Sequence, residues 1–70
     1  MKSFRYIEEG ILYVVTLDWV QDDYTQTTSL AVHSCWRFYP GRTAGEPISL
    51  TRIPWHGRQE IAELLNNSMP

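Results

Sequence analysis

Hydrophobic and polar residues alternate along the first half of the chain with the period of two that is typical of β-strands. The clearest case is segment 11–20, which is rich in β-branched and aromatic residues. One face of this predicted strand carries Ile11, Tyr13, Val15, Leu17 and Trp19, and the other carries Leu12, Val14, Thr16, Asp18 and Val20. The second face turns polar towards its end, so we expect either that one end of the strand is covered on both sides or that one face is left for a partner.

The same period predicts strands on either side of this segment. Residues 3–9 place Phe4 and Tyr6 on one face and Arg5 and Ile7 on the other. Glu9-Gly10 then provides a tight hairpin turn because Gly tolerates positive φ. For residues 28–39 the pattern predicts a core face formed by Leu30, Val32, Trp36 and Phe38, together with Thr28 and Ser34; the opposite face carries Ala31, His33, Cys35, Arg37 and Tyr39. A short fourth strand is expected at 48–53, ending before Pro54 or lying at a sheet edge.

The period changes after Gly57. Ile61, Leu64 and Leu65 have the i, i+3, i+4 spacing of an amphipathic helix, predicted over about 58–66. A helix this short is marginal on its own, so it must dock on the sheet through these three residues. The sequence therefore predicts an α+β fold: an antiparallel β-meander of three to four strands with one C-terminal helix packed on one face. The other face is expected to be partly open.

Size and composition are those of one small folded domain spanning residues 1–70. Apolar residues make up 43% of the chain, too many for a disordered segment of low net charge. The single cysteine, Cys35, excludes an internal disulfide and favours a reducing compartment. The longest apolar run, Ile11–Val15, is far shorter than a membrane span, and no signal-peptide pattern follows the N-terminus. We expect a cytoplasmic protein with no membrane contact.

The distribution of charge points to candidate contact surfaces, because the net charge of −2 is the sum of two blocks of opposite sign. Between Tyr6 and Trp36 there is no lysine or arginine, whereas the span contains Glu8, Glu9, Asp18, Asp22 and Asp23. Charge runs are most often solvated faces. As a functional hypothesis, the first contact patch is predicted to be Asp18, Asp22, Asp23 and Tyr24, with Glu8 and Glu9 as further members, facing a basic surface on a partner.

The second block combines arginine with aromatic residues. Its candidate members are Arg37, Tyr39, Arg42, Trp55 and Arg58. Such residues are enriched in protein interfaces, so this patch could serve a second protein contact or a homodimer. They also suit single-stranded nucleic acid, whose bases stack on rings while its phosphates meet positive charge. The acidic character of the whole chain makes direct nucleic-acid binding the less favoured of these readings.

Catalytic and metal chemistry have little support in the residue pattern. His33, Cys35 and His56 are the only candidate set, and they lack the paired spacing of zinc sites. A Cys–His nucleophile would need His56 to approach Cys35 and an oxyanion site nearby. We expect no enzymatic activity, no cofactor and no bound metal.

In size, mild acidity and hairpin-rich design, the chain resembles small phage or mobile-element inhibitors such as anti-CRISPR proteins. The resemblance is general and carries over no site residue. It implies a protein-binding module that blocks a larger protein or nucleoprotein complex involved in nucleic-acid processing. The alternative prediction is a single-stranded nucleic acid binding protein that uses the arginine–aromatic residues.

Overall fold

A computed structural model of the chain describes residues 2–67 and shows an α+β fold with one four-stranded antiparallel sheet. The strands are β1 (Lys2–Glu8), β2 (Ile11–Asp22), β3 (Thr27–Phe38) and β4 (Glu46–Pro47), in the spatial order β1-β2-β3-β4. A 3₁₀ turn at Leu50–Arg52 leads into helix α1 (Trp55–Asn67). The predicted meander with one C-terminal helix is confirmed.

The two long hairpins are closed by turns of different length. Glu9 and Gly10 join β1 to β2 with φ angles of 54° and 79°, the double positive φ that matches strand twist in a two-residue hairpin. The predicted Glu9-Gly10 turn is therefore confirmed. Four residues separate β2 from β3, and Gln26 at the end of this loop also has positive φ, 60°. The pairing then runs in register through most of both strands.

One β-bulge in β3 decides which of its side chains enter the core. Thr16 pairs with Ser34 but Leu17 pairs with Val32, so His33 is an extra residue on β3. An extra residue reverses the inside–outside alternation from that point. Leu30 is buried before the bulge, and Cys35 is buried after it.

The sequence prediction for the second half of β3 is consequently wrong. Trp36 and Phe38 were expected in the core, but they lie on the face opposite Cys35, where Trp36 remains 39% exposed. Cys35 and Arg37 were expected on the outer face, but Cys35 is buried and Arg37 is half-buried.

The fourth strand and the helix start also differ from the predicted bounds. Residues predicted as strand 48–53 include the 3₁₀ turn, and β4 is a two-residue strand that lies before them. Pro47 fits there because β4 forms an edge of the sheet. Helix α1 begins at Trp55 rather than at residue 58, with the Pro54 carbonyl accepting a hydrogen bond from the Arg58 amide at 3.0 Å.

The core lies between the sheet and α1. Its buried members are Tyr13, Val15, Leu17, Leu30, Cys35, Ile53 and Ile61, and Phe4, Tyr6, Ile11, Val32, Ile48 and Leu65 pack around them. The expected docking of the helix through Ile61 and Leu65 is confirmed, whereas Leu64 keeps 39% of its surface exposed.

The second sheet surface, here called the open face, is the one opposite the core. It is lined by Arg5 and Ile7 of β1, by the even-numbered residues of β2 from Leu12 to Val20, and by Ala31, Trp36 and Phe38 of β3. The expectation that one short helix leaves the other face partly open agrees with the exposure of these residues.

Gly57 shows how closely α1 approaches the sheet. A Cβ at this position would lie 2.9 Å from Cδ2 of Tyr6 and 3.0 Å from Cγ2 of Ile53. Helix propensity alone predicts that Gly57→Ala stabilises the protein by about 1 kcal/mol. We expect the opposite sign, a net loss of about 1–2 kcal/mol, because overpacking against the Tyr6 ring outweighs the propensity gain. Urea unfolding measures this change.

Ala62→Gly at an exposed position of the same helix is the control, and it should cost about 1 kcal/mol. In a Tyr6→Ala background the penalty of Gly57→Ala should shrink, because the ring is gone. A stabilised Gly57→Ala single variant would show that the helix does not pack as closely as described.

Candidate functional site

The β2–β3 hairpin extends beyond the rest of the sheet. The last β1 pair on β2 is Lys2 with Leu17, so the paired residues from Asp18 to Ala31 have no third strand beside them in the described chain. We call this segment, Asp18–Ala31, the arm. Its five residue pairs extend roughly 17 Å past β1 at ~3.3 Å per residue. The arm fits the elongated shape of the molecule, which measures 44 × 21 × 17 Å.

The arm holds the acidic residues of the first predicted patch. It contains Asp18, Asp22 and Asp23 and no lysine, arginine or histidine. Asp22 and Asp23 are exposed at the tip, whereas Asp18 is half-buried near the base and accepts a hydrogen bond from the Trp19 amide at 2.9 Å. The tip therefore presents two negative charges to solvent, and the third lies further down the arm.

The tip has a defined local structure. The Asp22 Oδ1 atom accepts the Tyr24 amide at 3.0 Å, and the Gln26 side-chain amide donates to the Asp23 carbonyl at 3.0 Å. The hydroxyls of Thr25 and Thr27 lie 2.7 Å apart. These bonds fix the turn and leave the Tyr24 side chain 96% exposed. The predicted residues Asp22, Asp23 and Tyr24 are thus brought together on one turn.

Glu8 and Glu9 do not belong to this patch, so that part of the prediction is wrong. They lie at the β1–β2 turn, at the other end of β2 and roughly 36 Å from the tip at ~3.3 Å per residue. Glu8 accepts a hydrogen bond from the Tyr6 hydroxyl at 2.7 Å. This bond, helped by burial, raises the pKa of Tyr6 to about 12.

Arg37, from the second predicted patch, is engaged within the molecule. Its Nε donates to Oε1 of Glu46 at 2.8 Å, and its Nη2 contacts the same carboxylate oxygen. Its guanidinium carbon lies 5.0 Å from the centre of the Tyr39 ring. The bond to Glu46 raises the pKa of Arg37 further. Glu46 therefore offsets the positive charge that this residue could offer to a ligand.

The other members of the second patch lie in separate places. Arg42 is exposed in the β3–β4 connector, where its amide donates to the Tyr39 carbonyl at 3.2 Å. Trp55 and Arg58 lie on the first turn of α1. Trp55 is 56% exposed, and its ring makes a T-shaped contact with the His56 ring, with centres 5.1 Å apart. Within residues 2–67, no hydrogen bond or ring contact joins Trp55 or Arg58 to Arg37, Tyr39 or Arg42.

The three residues considered for catalysis or metal binding lie in different environments. Cys35 is buried in the core, His33 is exposed at the bulge, and His56 lies beside Trp55 on α1. Burial raises the pKa of the Cys35 thiol, which disfavours the reactive thiolate. Over residues 2–67, no three His, Cys, Asp or Glu side chains come close enough to hold a metal ion.

The sequence indicated that one sheet face could be left for a partner, but it did not predict any residue of the open face as a site. Ile7 is 68% exposed, and Trp36 and Val20 of the same face are 39% and 51% exposed. The alternation of Arg5 and Ile7 in β1 indicated an outward position for Ile7, but Trp36 joined this face only because of the bulge.

The fold and these surfaces define a small α+β antiparallel meander with an acidic hairpin arm. Searches with family models and against curated proteins and solved structures found no match to this chain. Neither helix within residues 2–67 has the length and hydropathy needed to cross a bilayer.

The Tyr6–Glu8 bond predicts a pH dependence. The folded pKa of Tyr6, about 12, lies above its ordinary value of 10.0, so the folded state holds this proton more tightly. The contribution of Tyr6 to stability is full below pH 10 and is lost as pH rises from 10 to 12. Urea unfolding across this range should show the decline. Tyr6→Phe should remove that component and Glu8→Gln should reduce it; an unchanged profile in both variants would contradict the assignment.

The burial of Cys35 predicts an unreactive thiol. Ellman's reagent at pH 8 should label the folded protein at least 100-fold more slowly than the urea-unfolded chain, because reaction requires both exposure and the thiolate. An Ala31→Cys, Cys35→Ala variant, with its thiol half-buried on the arm, provides a control for reagent access. Equal labelling of folded and unfolded wild-type protein would show that Cys35 is accessible.

Proposed function

We propose that this protein is a non-enzymatic binding module that engages a basic surface of a larger protein or nucleoprotein complex through the tip of its arm. The observation that carries the proposal is the placement of Asp22, Asp23 and Tyr24 on one ordered turn that projects beyond the body of the molecule. Acidic groups in this position steer association with positively charged partners.

Tyr24 supplies the second element of such a contact. Tyrosine is among the residues that most often dominate binding energy, because it brings a large contact area with few rotatable bonds. Its 96% exposure leaves almost the whole ring available for burial in a partner. The hydrogen bonds at Asp22 and Gln26 order the turn beforehand, which lowers the entropy cost of binding.

The partner class follows from the charge of the tip. Proteins that process nucleic acid hold the phosphate backbone on surfaces rich in lysine and arginine. A projecting acidic turn can occupy such a surface and compete with the nucleic acid. Inhibition of a host nucleic-acid-processing complex in the cytoplasm, as by a phage or mobile-element inhibitor, is the specific role we propose.

The alternative function, binding of single-stranded nucleic acid, is favoured by one observation. Trp55 is 56% exposed one turn away from the exposed Arg58 on α1. The pairing of Arg37 with Glu46 weighs against it, because it reduces the positive charge available to phosphates.

The role of the tip predicts a charge-specific loss of binding. Asp22→Asn with Asp23→Asn removes two charges, and the Asn at 22 can still accept the Tyr24 amide. Capture from host extract, followed by kinetics on the purified partner, should show association about tenfold slower for this pair. Tyr24→Ala should weaken affinity about thirtyfold, the loss typical of a dominant aromatic contact.

Glu9→Gln with Glu63→Gln is the matched control, because it makes the same change in net charge at exposed positions outside the arm. This control pair should leave the association rate within about twofold of wild type, because salt screens the interactions of surface charges over ~10 Å. Equal slowing by both pairs would contradict a specific role for the tip.

A fluorescent single-stranded oligonucleotide distinguishes the alternative function. We expect no binding at physiological salt. Binding that weakens steeply with salt and is lost in Trp55→Ala with Arg58→Ala would instead support the nucleic-acid function.

A further inference from the structure

We propose that the outer edge of β3 is a strand-addition site, at which an extended basic segment of the partner pairs with the backbone of residues 27–34. We call this stretch the β3 edge. β4 pairs only with Trp36 and Arg37, and the Ile48 amide donates to the Cys35 carbonyl at 3.0 Å. The β3 edge therefore has no strand beyond it in the described part of the chain.

The hydrogen bond of Asp18 shows which backbone groups face this edge. The Trp19 amide donates to Oδ1 of Asp18, so it points away from β3. Trp19 pairs with Leu30, and both residues of such a pair direct their N–H and C=O groups outwards. By the alternation of an antiparallel pair, Thr28 and Val32 are oriented like Leu30. Among the described residues, none accepts a hydrogen bond from the amides of these three.

The other edges of the sheet carry features that hinder strand addition. β1 has charged residues at Lys2, Arg5 and Glu8. β4 is two residues long and contains Pro47. On the β2 side of the arm, the first free N–H beyond β1 is occupied by the Asp18 carboxylate. The β3 edge contains no proline, glycine, lysine, arginine, aspartate or glutamate, so it has none of these protections.

The side chains of the β3 edge define the segment that fits it. They carry no formal charge with His33 neutral, so pairing requires an extended backbone with apolar or small polar side chains. On the core side, the added strand would lie beside Leu30, in the row that also contains Trp19, which is 44% exposed. β-Branched residues at alternate positions of the segment suit this row.

The acidic tip sets the charge and the direction of the segment. Thr27, the first residue of the β3 edge, pairs with Asp22. A residue opposite Thr27 therefore lies two strand spacings, roughly 10 Å, from Asp22, and charges at that separation still interact at physiological salt. All strand pairs of this sheet are antiparallel. In that direction the C-terminal end of the segment reaches the tip, and we expect lysine or arginine there.

This inference rests on the proposed function, since the tip attracts the basic segment and the β3 edge then holds it. Electrostatic attraction acts mainly on the association rate, whereas direct contacts act mainly on the dissociation rate. The contributions of the tip and of the β3 edge can therefore be separated by kinetics.

The probe is a synthetic peptide, acetyl-Val-Thr-Val-Thr-Val-Arg-Arg-amide, and the reversed sequence is its control of equal composition. Amide hydrogen exchange of the full chain, measured by NMR, reports on each N–H group. In the free protein the Thr28 and Val32 amides should exchange faster than those of Ser29 and Ala31, which face β2. Saturating peptide should slow exchange at Thr28 and Val32 at least about tenfold and leave Gln21, on the opposite edge of the arm, unchanged. The reversed peptide should bind about threefold more weakly, because its arginines lie away from the tip.

A proline variant tests backbone pairing directly. Thr28→Pro removes an outward N–H at an exposed position and should weaken peptide affinity about tenfold, through faster dissociation. Gln21→Pro is the matched control, because Gln21 is exposed, pairs with Thr28 and directs its N–H to the other edge of the arm. It should leave affinity within about twofold of wild type. Circular dichroism checks that both variants fold, and the exchange measurement on wild type needs neither of them.

The tip variant distinguishes this inference from the proposed function. Asp22→Asn with Asp23→Asn should slow peptide association and leave dissociation within about twofold of wild type. Slower association in that pair, together with unchanged dissociation in Thr28→Pro, overturns strand addition and leaves the proposed function standing. Faster dissociation in Thr28→Pro with no effect of the aspartate pair contradicts the tip contact and supports the β3 edge as a site. A peptide that does not protect the Thr28 and Val32 amides overturns the inference.

Discussion

The extra residue at His33 is the constraint on which the rest of the structure depends. The bulge allows β3 to place Leu30 and Val32 in the core at one end and Cys35 at the other. Cys35 pairs with Val15 in the buried core, and the Tyr6 and Tyr13 rings, with centres 6.3 Å apart, belong to the same packed layer between the sheet and α1. A small thiol fits at this buried position, whereas the much larger side chain of tryptophan would overpack it. The same shift of one residue moves Trp36 to the opposite surface, where it pairs with Val14 and adds to the apolar residues of the open face.

Much of the fold could be predicted from local sequence, because local signals there agree with tertiary packing. The alternation from Ile11 to Trp19, the Glu9-Gly10 turn and the spacing of Ile61 and Leu65 each specify one element. The start of α1 could not be predicted in the same way. Gly57 interrupts the helical pattern. A glycine is needed there because the Tyr6 ring, about 50 residues away in sequence, packs directly against this position.

The reversal of side-chain alternation in β3 could not be predicted for a different physical reason. Leu30, Val32, Trp36 and Phe38 fit one uninterrupted period of two, so the sequence does not reveal that the chain changes phase between them. Ser34, a polar residue between Val32 and Trp36 in that row, is a local sign of the change. A bulge is stabilised by pairing with another strand, here at Thr16 and Leu17, and pairing register is not encoded within a single strand. The same limit applies to the candidate site, because the arm exists only through the difference in length between β1 and its partner strands.

The arm also resolves how a chain with a net charge of only −2 can present a strongly acidic contact. Charges at a protein surface are screened over ~8 Å at physiological salt. Lys2, the cation of β1 nearest the arm, pairs with Leu17, and Asp22 lies five residues further along β2, roughly 17 Å away at ~3.3 Å per residue. Arg5 is more distant again, and the charge of Arg37 is engaged by Glu46. A partner meeting the tip therefore experiences Asp22 and Asp23 with little compensation from these cations. The separation of charge along the sequence becomes a separation in space because one hairpin extends beyond the sheet.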